Sequence, residues 1–234
     1  MTRVAIMQPT YLPWSGYFGL MQAVDVFVLL DSVQFARRSW QQRNQIKTAK
    51  GAQWLTVPVA SKGKREQIIR ETEIDSASNF STTHRKTIET NYVKAASFKD
   101  LGPGLLACIE QPQTLLVNLN IGIIEHCRAL LGIATPLLRS SRMQGSGAKA
   151  VLLASLAKEV GATEYISVPG SRDYLEESNA FDAIGVPVHY FNYRHPEYPQ
   201  LFGDFLPYMS VIDMLFNCGD RSADLIRSGI EVST

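Results

Sequence analysis

Residues 3–31 read RVAIMQPTYLPWSGYFGLMQAVDVFVLLD, and this stretch decides the fold. Residues 4–7 form a short apolar run that stops at Gln8-Pro9. A run of that length, closed by a pair that disfavours helix, predicts a buried strand followed by a turn. After the loop TYLPWSGY, apolar residues recur at Phe18, Leu20, Met21 and Val24, a spacing that suits one face of a helix. The run VFVLL at 26–30 ends at Asp31 and reads as a second buried strand. Strand, helix and strand in such quick succession imply a right-handed crossover and parallel pairing. Ligands of open parallel sheets lie beyond the carboxyl ends of the strands, and residues 8–17 and 31–43 fall at that edge.

Outward from this unit the alternation continues. Residues 54–59 (WLTVPV) are β-rich and predict a third strand. Residues 80–93 and 115–131 predict helices, the first opening at Asn79 or Ser81 and the second ending at Gly132. Together they suggest a helical layer or an insertion over residues 78–131. Residues 148–160 predict a helix ended by Gly161, followed by a strand at 165–168, the turn Pro169-Gly170-Ser171 and a strand at 186–191. Residues 202–216 show helical spacing at Met209, Ile212, Leu215 and Phe216, with Pro207 suited to a first helical turn. With no internal repeat and no linker, the expected architecture is a single α/β domain over residues 1–234, with a mostly parallel, Rossmann-like sheet and an additional helical layer.

Composition excludes several classes. Hydrophobic residues make up 45% and charged residues 19% of 234, an ordinary globular balance rather than a disordered one. No secretory signal is read at the start, and the longest apolar segments are too short or too interrupted to cross a bilayer, so a cytoplasmic protein is expected. Cys108, Cys127 and Cys218 are odd in number and widely spaced, which suits reduced structural cysteines. His84, His126, His189 and His195 lack the short spacing of metal ligands, so no metal site is expected.

Charge is uneven along the chain. Net charge is +1, yet residues 37–65 carry Arg37, Arg38, Arg43, Lys47, Lys50, Lys62, Lys64 and Arg65 with no acidic residue. Interleaved with Trp40, Gln41, Gln42, Asn44 and Trp54, the first half of this run offers guanidinium forks, amides and a stacking surface to an anion carrying a flat ring. The second half, SKGKR, reads as a solvated hairpin tip.

Four blocks carry a resemblance to a known family: MQPTYLPWSGYF at 7–18, DSVQFARRSWQQRNQIKT at 31–48 with WLTVPV at 54–59, YISVPGSRDYL at 165–175, and HPEYPQLFGDFLPYMSVIDMLFNCG at 195–219. In this order they resemble the WbqC-like family of bacterial polysaccharide gene clusters. The resemblance implies a place among proteins that build surface polysaccharides such as O-antigen, with acyl or aminoacyl (glycine-type) transfer to a nucleotide-linked amino sugar as the suggested chemistry. The chain is also similar to nucleotidyltransferases and amide-forming ligases that carry His-x-Gly-His between first strand and first helix. Pro13-Trp14-Ser15-Gly16-Tyr17 occupies the equivalent place with neither histidine, which argues against ordinary adenylyl transfer.

Residue chemistry then gives candidates. Asp31 ends a buried strand at the ligand edge, where a carboxylate can orient a ribose hydroxyl, act as a base, or shape a turn. His195 follows a strand in the proline-stiffened loop HPEYPQ and titrates near neutrality, so it can be a general acid or base or a structural ring. Gln8, Gln34, Arg38, Gln42, Arg43 and Asn44 are candidates for anchoring substrate; were 33–44 helical, Arg38 and Gln42 would share a face. Tyr11, Trp14 and Tyr17 stack on ligand or fill the core, and Gly16 lets a phosphate approach the backbone. Ser167 and Tyr174 flank a strand-end turn, while Tyr198 and Gln200 share the loop of His195. Ser210, Asp213 and Asn217 share a helical face that either lines the site or ties down that loop. The stretch GSGAK at 145–149 cradles a phosphate or, more simply, caps a helix.

These readings converge on an anionic small-molecule ligand. An enzyme that modifies an amine competes with a non-catalytic binder of a nucleotide sugar or other phosphorylated intermediate. The residues single out no cofactor, although a nucleotide is compatible with them; nucleic acid is disfavoured by the acidic remainder of the chain, and assembly into a homo-oligomer stays open.

Overall fold

The computed structural model describes residues 1–64 and 66–231; Arg65 of the basic run lies outside them. The opening unit folds as its pattern demands: β1 (Arg3–Met7), α1 (Ser15–Gln22) and β2 (Val26–Leu29), with β1 and β2 parallel from Val4 opposite Val26 to Met7 opposite Leu29. Both strands are buried on two faces. Ala5, Phe27 and Leu29 enter one core with Phe18 and Met21 of α1, whereas Val4, Ile6 and Val28 enter a second core on the opposite side. This explains why the runs are continuously apolar rather than alternating.

Residues 33–42 form no helix. Arg38 has a left-handed backbone (φ 57°), and the chain enters a hairpin of β3 (Arg43–Thr48) and β4 (Gly51–Thr56), paired antiparallel outside the main sheet. The shared face expected of Arg38 and Gln42 is therefore lost, and the strand expected at WLTVPV begins and ends earlier, as β4 of the hairpin, the fourth strand in chain order. β3 escapes an apolar-pattern reading because four of its buried positions are Asn44, Ile46, Lys47 and Thr48, three of them polar.

The helical layer comprises α2 (Phe80–Tyr92), α3 (Phe98–Glu110) and α4 (Leu116–Leu130), packed on the core that contains α1. α3 runs through Gly102-Pro103-Gly104, a sequence that punctuates helices on propensity alone; its buried Leu105, Leu106 and Ile109 pack against α4 and hold it helical.

The remaining sheet strands follow as β5 (Leu137–Arg139), β6 (Glu164–Ser167) and β7 (Val188–Tyr190), joined by α5 (Lys149–Glu159) and α6 (Arg172–Glu176). Their order is β5-β2-β1-β6-β7, with every neighbouring pair parallel. Counted along the chain, that is the doubly wound order 3-2-1-4-5, whose direction reverses between β1 and β6. α5 and α6 pack with Val4, Ile6 and Val28 on the face opposite α1.

The last segment contains β8 (Asn192–Tyr193), α7 (Val211–Cys218), α8 (Ser222–Ser228) and β9 (Ile230–Glu231), which pairs with β8. The helix expected over 202–216 is shorter at its start: Ser210 is its N-cap, accepting a hydrogen bond from the Ile212 N–H at 3.5 Å. Pro207 lies outside it, in a loop where Phe202 and Tyr208 take left-handed backbone angles.

Candidate functional site

A cleft of about 650 Å3 opens at the carboxyl ends of β1 and β2. Gln8 comes from the end of β1, Ser32 and Gln34 from the segment after β2, Gly147 and Lys149 from the start of α5, and Tyr174 from α6. Its size suits a nucleotide-sized ligand. A more open hollow of about 750 Å3 lies among Arg37, Ser61, Lys62, Lys64, Glu66 and Gln67.

The start of α5 faces the cleft. The N-cap is Ala148, which offers no side-chain acceptor, and the Lys149 and Ala150 N–H groups have no acceptor among the hydrogen bonds of the described residues. The simpler use of GSGAK, side-chain capping, is thus overturned. Gly147 has φ 94°, and a Cβ there would come within 2.6 Å of Val151. Bare N–H groups, the positive end of the helix dipole and the Lys149 side chain together favour an anion in the cleft.

Asp31 is fully buried beside this cleft and is held by the end of β5. Its Oδ1 accepts from Ser140 Oγ (3.1 Å) and the Ser141 N–H (2.8 Å), and its Oδ2 accepts from Ser141 Oγ (2.8 Å) and Arg139 Nε (2.7 Å). Burial pushes the carboxyl up, but the Ser141 hydrogen bonds and Arg139 outweigh it and hold it below its ordinary value. A carboxylate engaged on both oxygens and paired with guanidinium ties β2 to β5; it has no free lone pair directed at substrate.

The amide-rich segment plays a similar holding role. Gln41 Nε2 donates to Gln8 Oε1 (2.8 Å), Asn44 Nδ2 to the Leu12 carbonyl (2.6 Å), and Gln42 Nε2 to the Val57 carbonyl (3.1 Å). Gln42 Oε1 also accepts from the Arg38 N–H at 3.0 Å, while the Arg38 side chain stays exposed. Arg43 lies over the Trp54 ring at 4.2 Å, beside exposed Trp40, outside the lining of the cleft. Tyr11 is buried and its hydroxyl meets His84 Nδ1 at 2.8 Å. Ser167 is buried too, with its Oγ 2.6 Å from Ser171 Oγ.

Trp14, Gly16 and Tyr17 are brought together in a second cavity, of about 280 Å3, between α1 and the ends of β6 and β7. The Trp14 indole crosses Gly16 so closely that a Cβ there would come within 2.2 Å of it. Tyr17 donates to the Gln8 carbonyl at 3.3 Å, so the two cavities flank the same strand end.

His195 lies among the rings of Trp14, Tyr193, Tyr198, Phe205 and Tyr208. Nε2 is 3.3 Å from Ser15 Oγ and Nδ1 is 3.0 Å from the Pro196 carbonyl oxygen. Burial lowers its pKa against the opposing effects of Pro196 and Asp213, which favours neutral imidazole. Asp213 holds the loop below it. Its Oδ1 accepts from Tyr198 Oη (3.0 Å) and Gln200 Nε2 (2.8 Å), and its Oδ2 accepts from Tyr92 Oη (2.6 Å). Burial raises its pKa, with those hydrogen bonds acting the other way. The polar stripe of α7 therefore ties down the His195 loop, and Ser210 caps the helix.

Of the sequence candidates, Gln8, Gln34 and Tyr174 meet at the cleft, whereas His195 belongs to the aromatic side of β1. Gly147 and Lys149 were visible as a glycine-rich motif but needed the helix start to give them a role. Ser15 carried no signal beyond its place in PWSGY. Among the described residues, no group of three or more His, Cys, Asp or Glu is placed to hold a metal ion.

Fold and site define an α/β protein of the doubly wound class with an anion-suited cleft beside the reversal of strand order. A model of the WbqC-like protein family matches residues 8–225, and the chain belongs to that family. It is 40% identical over 229 residues to an uncharacterized protein of Mycobacterium tuberculosis, covering 97% of this chain and 98% of that one. No solved structure matches.

Proposed function

We propose that the chain is a transferase that forms an amide on an amine-bearing small molecule. Its substrate is a nucleotide-linked amino sugar used in surface-polysaccharide biosynthesis such as that of O-antigen and lipopolysaccharide, and the reaction runs in the cytoplasm. The observation that carries the anionic half of this reading is the uncapped start of α5 facing the cleft. The acyl or aminoacyl half follows the family resemblance, with neutral His195 as the proton acceptor.

A non-catalytic binder of a phosphorylated intermediate is the second reading. The saturation of Asp31, one of two candidate bases, favours it.

A thermal-shift screen of nucleotide sugars and bare nucleotides tests the cleft, since a ligand at about 100 times its Kd stabilises by about 2.7 kcal/mol. The shift should be lost in Lys149→Glu. No shift with any phosphorylated compound, or an undiminished one in that variant, would remove the anion site. With a substrate in hand, His195→Gln should lower turnover about a hundredfold or more with affinity nearly unchanged; binding without turnover in the unaltered chain would favour the non-catalytic reading.

A further inference from the structure

Ser15 is the first residue of α1, and only 1% of it is exposed. Its Oγ lies 3.3 Å from His195 Nε2. The proton on that imidazole can be placed by elimination. Nδ1 is 3.0 Å from the Pro196 carbonyl oxygen, which only accepts, so Nδ1 carries the ring hydrogen. Nε2 therefore presents a lone pair to the Ser15 hydroxyl, which also has the Tyr193 hydroxyl as a neighbour and hydrogen-bond partner. The lowered pKa of His195 keeps this neutral form in place at pH 7.

Two further parts of an acyl-transfer centre stand beside this pair. α1 begins at the N-cap Trp14 without a side-chain cap, and the Gly16 N–H, next after Ser15, has no acceptor among the hydrogen bonds of the described residues. It is a donor for a developing oxyanion, in the position that the residue after a nucleophile commonly supplies. The cavity alongside is lined by Trp14, Gly16, Tyr17, Tyr193 and Tyr208 and contains no charged residue, so it suits a neutral acyl group and disfavours water.

From this arrangement we propose that Ser15 is a nucleophile that carries the acyl group, with His195 as its base, Pro196 as the group that orients the base, and Gly16 as an oxyanion donor. The proposal rests on the acyl-transfer reading above and supplies its mechanism. Ser15 Oγ bonds to the carbonyl carbon of an ester or thioester donor while its proton passes to His195 Nε2. The bond to the leaving alcohol or thiol breaks, and that group takes the proton. The amine then attacks the acyl-serine and gives a proton to Nε2, and Ser15 Oγ leaves with that proton. Donor plus amine yields amide plus alcohol or thiol, with no change of oxidation state. Ser15 is 1% exposed and does not itself line the cavity, so entry of the donor requires the neighbouring rings to move.

An alkyl fluorophosphonate, which phosphonylates activated serines, tests the proposal without the natural substrate. The full chain is incubated with the probe, and the adduct is located by intact mass and peptide mapping. One adduct is expected on Ser15, absent from Ser15→Ala and formed about a hundredfold more slowly in His195→Gln. An unmodified Ser15 in the wild-type chain after prolonged exposure overturns the proposal whatever the variants do, as does equally fast labelling in a folded His195→Gln. The two readings separate cleanly. Labelling of Ser15 without amide formation from any donor and amine keeps the activated serine and removes the transferase; amide formation with an inert Ser15 does the reverse.

Discussion

Asp31 and Asp213 are both fully buried, yet their surroundings push them in opposite directions. Asp31, at the end of β2, has an Arg139 guanidinium at 2.7 Å and three hydrogen bonds from Ser140 and Ser141, and its carboxyl is held below the ordinary value. Asp213, on α7, receives hydrogen bonds from the neutral groups of Tyr92, Tyr198 and Gln200, and burial raises it. Burial alone therefore says little about a carboxylate: the Ser141 hydrogen bonds and Arg139 outweigh it at Asp31, whereas at Asp213 the hydrogen bonds and the Lys47 charge do not. The first pair joins two strands at the edge of the cleft, and the second fixes the loop of the candidate base.

Replacement by asparagine separates the two most strongly. Asp31→Asn leaves Arg139 without its counter-charge and should cost about 3 kcal/mol in urea unfolding at pH 7. Asp213→Asn keeps acceptors for Tyr198 and Gln200 and should cost about 1 kcal/mol. Equal losses would break the contrast. Their pH dependence has opposite sign. Because the folded Asp31 pKa is depressed below 3.8, its contribution is present above that value and fades as pH falls through the folded pKa. The folded Asp213 pKa is raised above 3.8, so its contribution is full below that value and is lost as pH rises through the folded pKa.

His84 sharpens the comparison with a cationic group. Burial lowers its pKa from 6.5 to about 4. On acidification the unfolded chain takes the proton first, so stability should be constant above pH 6.5 and fall toward pH 4, by about 3 kcal/mol from this group. Urea midpoints at pH 7.5 and 4.5 should differ less in His84→Gln than in the wild-type chain. An unchanged difference would place the acid sensitivity elsewhere. The smallest effect belongs to Lys64, whose ion pair with Glu73 is exposed on both sides: Lys64→Ala should change unfolding free energy by less than about 0.5 kcal/mol.

The sequence by itself determined the doubly wound class, because the runs at 4–7 and 26–30 are apolar on successive residues, as only strands covered on both faces need be. It also put residues 8–17 and 31–43 beyond the carboxyl ends of parallel strands, since loops that follow such strands emerge there, and it determined the family, through four ordered blocks. It missed β3 because polar residues occupy buried positions there and are satisfied by partners far along the chain, such as Leu12 for Asn44. It missed α3 because tertiary packing overrides the breaking tendency of Gly102-Pro103-Gly104. Only the tertiary structure decided that Arg139 neutralises Asp31 from 108 residues away and that Ser15 meets His195 from 180 residues away. Local pattern reports which face of an element is buried; it carries no record of which distant hydrogen-bond donor arrives opposite a given acceptor, and that pairing sets the charge and the chemistry of each site.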